Sequence, residues 1–359
     1  MAIYKLGEIG TFKGGISTLK KDKYDKGIYF INYMDIFNNV FIDNTKIKTM
    51  RLYDATEADI NKYRVNFGDI LFTASSEKRE EIGMTSVFLN NESNIFNGFS
   101  KVFKFNDKSH FNPKYLAYYF RTKFVRDQIV SFATGYTRYN ISQKDLEKII
   151  LVLPSLEEQE KIIDIIEPIE KQIVYFENLI LKLESILRQY SKKLSSNEKM
   201  INIVNFDRGV VLKSENFKID KKITGFIDVR SLSEGIFTKY VDFLPNSFIS
   251  DVLLSLDGTP GRVSYSIEGF NGYAYNLKSN KISKGQILVD LINEKNQKII
   301  FDNSQGTTIK HASKAKNKML HFNSKQEIVD PIFKILVGSK QVKTKLEMIK
   351  SQIILLLIK

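Results

Sequence analysis

One stretch of this sequence limits the possible folds more than any other. Between residues 153 and 194, Ile162, Ile166, Ile169, Ile173, Phe176, Ile180, Leu183, Leu187, Tyr190 and Leu194 are separated by alternating steps of four and three. That is the apolar seam of a coiled-coil helix, and such a seam must be covered by another helix. The chain supplies a second copy: Ile328, Ile332, Ile335, Ser339, Val342, Leu346, Ile349, Ile353 and Leu356 repeat the same steps, offset by 166 residues. Each seam predicts a helix of about 30 residues, ~45 Å long at 1.5 Å per residue. An internal proline removes a hydrogen bond and crowds the carbonyl four residues back, so a break is expected at residues 166–168, next to Pro168.

A repeated helix implies repeated domains in front of it. "ATGYTRYNIS" at 133–142 matches "SQGTTIKHAS" at 304–313, pairing Gly135 with Gly306 and Thr137 with Thr308 at an offset of 171. "GDILFTASS" from Gly68 resembles "SDVLLSLDG" from Ser250, each a β-rich run that opens into a polar loop. Between these matches, "NPKYLAYYFRTKFVRDQIVSF" reads as a helix with Asn112 as N-cap and Pro113 at its first position. "GQILVDLINEKNQKIIF" is its helical counterpart. The expected fold is α+β with a pseudo-two-fold internal repeat: mixed domains at 1–152 and 196–323, and heptad helices at 153–195 and 324–359 that pair antiparallel.

The composition restricts function. The chain has no cysteine, which excludes disulfides and cysteine-based zinc sites. The opening "MAIYKLGEIG" lacks a secretory pattern, and no uncharged stretch reaches the ~18 residues of a membrane span, so a soluble, cytoplasmic protein is expected. The net charge is +13. By segment it is +6 over residues 1–154, −2 over 155–195, +5 over 196–323 and +4 over 324–359. The basic surplus avoids the central helix and is shared by the globular halves, as a protein that meets phosphate backbones requires.

Catalytic motifs are missing. The nearest approach to an adenine methyltransferase motif, "NPKY" at 112–115, has Lys where a second Pro belongs and reads better as a helix cap. Neither GxGxxG nor GxxxxGK[ST] occurs. His110, His311 and His321 lack partners at metal-ligand or triad spacing, and the acidic "EKREE" reads as a solvated loop face.

"LPSLEEQEKI" leading into the first long helix (Pro154, Glu158, Gln159, Ile162), the domain-closing "TGYTRYNIS" and "QGTTIKHAS", and the "GDILF" stretch resemble the DNA-specificity (S) subunits of type I restriction-modification systems. The second helix departs from the pattern, entering through "NSKQEIVDPIF" without "LPxxEEQ". The resemblance implies two target-recognition domains that read a split site on double-stranded DNA, with the helices as spacer and as platform for two methyltransferase (M) subunits and restriction (R) subunits. It implies a non-catalytic chain that binds no cofactor itself, with S-adenosylmethionine, and ATP with Mg, on those partners. A spacer of ~45 Å corresponds to a gap of about one helical turn of DNA.

Base edges are read by side chains with forks and hydrogen-bonding groups, while lysines and hydroxyls hold the backbone. The candidates in the first domain are Thr73, Ser75, Ser76, Lys78 and Arg79 in one loop and Tyr136, Arg138 and Tyr139 in another. In the second they are Arg230, Thr259, Arg262, Thr308, Lys310 and His311. Two rival functions stay open on sequence grounds: a stand-alone DNA methyltransferase or nuclease with degenerate motifs, and a basic coiled-coil scaffold.

Overall fold

A computed structural model describes residues 1–17, 20–92, 94–196, 198–213, 216–218, 223–307 and 309–358. The chain divides into two units, Met1–Ile169 with Ile349–Lys359, and Glu170–Met348.

In the first unit, a five-stranded sheet runs in the order Gly10–Gly14, Ser100–Phe105, Ile70–Thr73, Thr85–Phe88, Phe41–Ile42. In its middle strand Ile70, Leu71 and Phe72 are apolar without alternation because both faces are covered. Ile70, Phe72 and Phe103 point to the side of helices Pro113–Tyr119 and Lys123–Ser131. The alternate residues Leu71 and Val102 join Ile31, Ile36, Phe88 and Phe96 on the other side. There a four-stranded sheet has the order Arg51–Tyr53, Tyr24–Ile31, Asn94–Phe96, Arg64–Val65.

The second unit repeats this plan. Val252–Leu254 lies inside a sheet of order Asn205–Arg208, Tyr275–Lys278, Val252–Leu254, Val263–Ser264. Val252 and Leu254 face helices Lys284–Ile292 and Glu294–Asp302, and Leu253 faces Ile227, Leu232 and Ile267. Residues 70–72 therefore correspond to 252–254, as the match of "GDILF" with "SDVLL" requires.

Asn112 caps its helix as expected, accepting from the amides of Lys114 and Tyr115 with Pro113 at the first position. The 112–132 segment is two helices rather than one, interrupted at 120–122. Its counterpart is split in the same way, because the Asn293 side chain accepts from the Lys295 amide and starts a new helix.

The first long helix, Leu156–Lys192, contains 37 residues and the second, Gln326–Leu357, contains 32. "SLEE" opens the first through a capping box: Glu158 Oε2 accepts from the Ser155 amide and Ser155 Oγ from the Glu158 amide. Gln159, 1% exposed, accepts from the Asn112 amide at 2.9 Å and donates to the carbonyls of His110 and Pro154. Inside the second unit the helices are antiparallel, with Lys340 on Glu184 and Lys343 on Glu177. Inside the first, Ile163 and Ile166 share a core with Ile353, Ile354 and Ile358.

Two expectations are corrected. The helix runs through Pro168 without a break. Burial of Ile166 and Ile173 on either side, about 1.5–3 kcal/mol each, offsets the roughly 3 kcal/mol that an internal proline costs. The first seam holds, with Ile166, Ile173, Ile180 and Leu187 buried and Ile162, Ile169, Phe176 and Leu183 half-buried. The second seam does not. Ile328, Ile335, Val342 and Ile349 are 40–49% exposed, Ile332, Leu346 and Ile353 are half-buried, and the buried face is Val329, Phe333, Leu336 and Val337 together with the seam's own Ser339. The early turns of this helix close the core of the second unit, which turns its apolar contact face by about one residue; the next turns meet the first helix through Lys340 and Lys343.

Candidate nucleic-acid interface

Where each central strand ends, the chain forms a short antiparallel ribbon with the "GYTRYN" or "TTIKH" segment. In the first unit Ser75 pairs with Asn140 and Ser76 with Tyr139. In the second, Asp257 pairs with His311 and Gly258 with Lys310. The tips are built alike. Thr134 and Asn140 exchange backbone hydrogen bonds of 3.0 and 2.8 Å, as do Gln305 and His311 at 2.9 and 2.8 Å. Gly135 and Gly306 have φ of +116° and +107°, and a Cβ on either would lie 2.2 Å from a carbonyl, that of Arg138 or Ile309. Only glycine fits there.

The ribbons gather most of the residues expected from sequence. Tyr136 is 96% exposed at the first tip, with Arg138 exposed and Tyr139 half-exposed beside it. Ser75 and Ser76 are corrected: both are buried, with Ser75 Oγ accepting from Arg138 at 3.2 Å and Ser76 Oγ from the Lys78 amide, so they brace the ribbon from within. Lys78 and Arg79 are exposed on the following loop, where Lys78 pairs with Glu81 at 2.8 Å. Thr73 is corrected: it is fully buried and its hydroxyl accepts from the Met84 amide, so it shapes the loop and cannot touch a duplex. Being the last residue of a strand covered on both faces, it faces inward.

In the second unit Lys310 and His311 are exposed on the ribbon; Thr308 lies outside the described residues. Helix Val229–Glu234 flanks the ribbon, with Val229 against Gly258, Arg230 exposed, and Ser233 Oγ accepting from Arg262. A cleft of about 700 Å³ beside the ribbon is lined by Thr259, Pro260, Lys298, Phe301 and Lys310. Phe301 is 72% exposed, with the Lys310 ammonium 5.9 Å from its ring centre.

Sequence reasoning missed Asp257 and Arg208. Asp257 Oδ1 meets His311 Nδ1 at 2.8 Å, and its Oδ2 accepts from Arg208 at 2.9 Å. The acid stood in plain view in "DGTPGR", but its partners lie 49 and 54 positions away and only the sheet brings them together. Arg121 and Arg126, behind the first ribbon, were also missed. Burial lowers both guanidinium pKa values to about 10. Among the described residues, no group of three or more acidic or histidine side chains is placed to hold a metal, and no helix is long and apolar enough to cross a membrane. The ribbons thus present cationic forks, hydroxyls, a carboxylate and exposed rings, which are the groups that bind phosphates and read base edges.

Comparison with known proteins agrees with this geometry. The family model for the type I restriction modification DNA specificity domain matches residues 1–185. A Methanocaldococcus jannaschii protein named as the MjaX type I restriction enzyme specificity subunit is 29% identical over 180 residues, 49% of this chain. That match spans 41% of the relative's own length. The crystal structure of the S subunit of a type I restriction-modification system from M. genitalium is similar over 100% of this chain and 96% of its own, with a TM-score of 0.55 at 16% identity, a likeness of fold. The HsdS subunit of Thermoanaerobacter tengcongensis aligns over 99% of this chain and 96% of its own at 12% identity, with a TM-score of 0.35. With more than half of its length matched by the family model and the same fold in a solved S subunit, this chain belongs to the type I restriction modification DNA specificity family.

Proposed function

We propose that this chain is the DNA-reading subunit of a type I restriction-modification enzyme. Each ribbon reads one short half of a split target on double-stranded DNA, and the paired helices set the gap between halves, about one helical turn. The observation that carries this reading is that one ribbon, with the same glycine tip, is built twice on equivalent strands, yet bears different side chains each time. Ser75, Arg138 and Asn140 in the first copy stand where Asp257, Ile309 and His311 stand in the second. A duplicated frame with unlike reading groups suits two unlike half-sites.

In this reading the chain is non-catalytic and acts in the cytoplasm. Two methyltransferase subunits with S-adenosylmethionine, and restriction subunits using ATP with Mg, supply the chemistry. The outward row Ile328, Ile335, Val342, Ile349 and Leu356, each at least 40% exposed and seven residues apart, supports the second long helix as part of their docking platform. The test is selection from a randomised duplex pool with the intact chain, repeated after exchanging residues 196–323 for the equivalent domain of another such protein. One half of the selected sequence should change and the other persist; a change in both halves means that the domains read DNA jointly.

A further inference from the structure

The loop that leaves each ribbon must return to the sheet, and both units fix the point of return in the same way. In the first unit it is Gly83, with φ of +61°; in the second it is Gly261, with φ of +92°. Each glycine sits on an isoleucine of the helix behind it. A Cβ on Gly83 would lie 2.5 Å from Ile129 Cγ2, and one on Gly261 would lie 3.7 Å from Ile300 Cγ2. Three residues before each isoleucine, on the same helical face, stand Arg126 and Gln297. Both pairs are related by the same 171-residue offset as the glycines of the two ribbon tips.

Arg126 donates to the carbonyls of Gly83 at 2.8 Å, Ile82 at 2.5 Å and Glu80 at 3.0 Å. Gln297 donates to the carbonyls of Gly261 at 3.1 Å and Leu291 at 2.7 Å. The two loops differ in length. Six residues, 77–82, separate the first ribbon strand from Gly83, and two, 259–260, separate the second from Gly261. The longer loop is held by a fork that reaches three carbonyls, the shorter by an amide that reaches one. Among the described residues no carboxylate pairs with Arg126, so its hydrogen-bonding capacity is directed at the loop backbone.

We infer that Arg126 and Gln297 are equivalent positioning residues, each fixing the reading loop of its own domain and thereby the specificity of one half-site. This rests on the DNA-reading function proposed above. The lysines and arginines on the loop meet DNA; Arg126 sets where they stand. A planar fork suits this task, since a lysine at position 126 would contact one carbonyl at a time.

The test uses the full chain and a pool of duplexes randomised across a split site, comparing wild type with Arg126→Gln, Arg126→Lys and Gln297→Ala, with thermal unfolding measured in parallel. Both Arg126 variants should lose about tenfold in discrimination at one or more positions of one half-site, the worth of one base contact, and leave the other half unchanged. Gln297→Ala should give the converse. Unchanged selectivity in both halves would overturn the inference and spare the proposed function. Equal loss in both halves would also overturn it, by showing general destabilisation. If Arg126→Gln does not fold, Arg126→Lys and Gln297→Ala still decide. A wild-type chain that selects no split sequence sinks the proposed function and this inference together.

Discussion

Replacing Gly135 by alanine sets a local conformational strain against a known number of hydrogen bonds. The glycine holds φ of +116°, and the added Cβ would lie 2.2 Å from the Arg138 carbonyl oxygen, a backbone atom that cannot swing aside. Holding a non-glycine residue there costs about 1–3 kcal/mol, before the clash is counted. Against this stand the two backbone bonds between Thr134 and Asn140, 3.0 and 2.8 Å long, worth about 1 kcal/mol each. The strain matches or exceeds what closes the tip, so the tip opens. Gly135 is exposed and lies outside the core, so the urea midpoint should stay almost unchanged. Amide exchange at Asn140 should accelerate by roughly thirtyfold, the equivalent of about 2 kcal/mol. Discrimination at the first half-site should fall by tenfold or more, because Tyr139 and Asn140 lose their register on Ser76 and Ser75. Gly306→Ala should do the same to the second half-site alone. If the Asn140 amide stays as protected as in wild type and selectivity is kept, the account of the tip is wrong.

Arg262→Ala should relax one position of one half-site by about 1–3 kcal/mol, whereas Lys310→Ala should weaken binding to all sequences and lower the salt dependence by about one charge; titrations against single-base variants at two salt concentrations separate them. Leu187, fully buried, should cost about 2–5 kcal/mol when cut to alanine, read as a lower denaturant midpoint. The buried Asp290 carboxylate hydrogen-bonds His321 at 2.8 Å and raises the pKa of the imidazole above its usual 6.5. A raised histidine pKa contributes stability fully below pH 6.5 and loses it as pH climbs through the folded value. The urea midpoint should therefore fall as pH rises above 6.5, and His321→Gln should flatten that slope; parallel slopes for the two proteins would count against the pair.

Features set by local chemistry were legible in the sequence. The heptad steps marked both long helices, Asn112 and Pro113 marked a helix start, and paired glycines marked the two tips. What was hidden depended on partners distant in the chain. The face that Val329 and Phe333 present is chosen by the core they close, and a strict seven-residue repeat cannot announce a shift of one residue. Thr73 looked like a loop hydroxyl because nothing nearby says that its strand is covered on both sides. Arg126 lies in a stretch that reads as ordinary amphipathic helix, and its work concerns carbonyls 43 to 46 positions earlier. Comparing the two halves would have helped: Arg126 aligns with Gln297 at the same offset as the paired glycines.

The first unit is assembled from two separate pieces of chain, and this affects the order in which the molecule can mature. Glu170–Met348 is contiguous, so everything the second unit needs has been synthesised by residue 348. The first unit must wait for Ile349–Lys359, because Ile353, Ile354 and Ile358 cover Ile163 and Ile166. During translation the half made first is thus the half completed last, with an apolar patch uncovered while about 180 residues are added at 5–20 residues per second. For some ten to forty seconds that patch is open to chaperones or to a neighbouring nascent chain. A released chain that ends at Met348 should carry a protease-sensitive first unit and a protected second one.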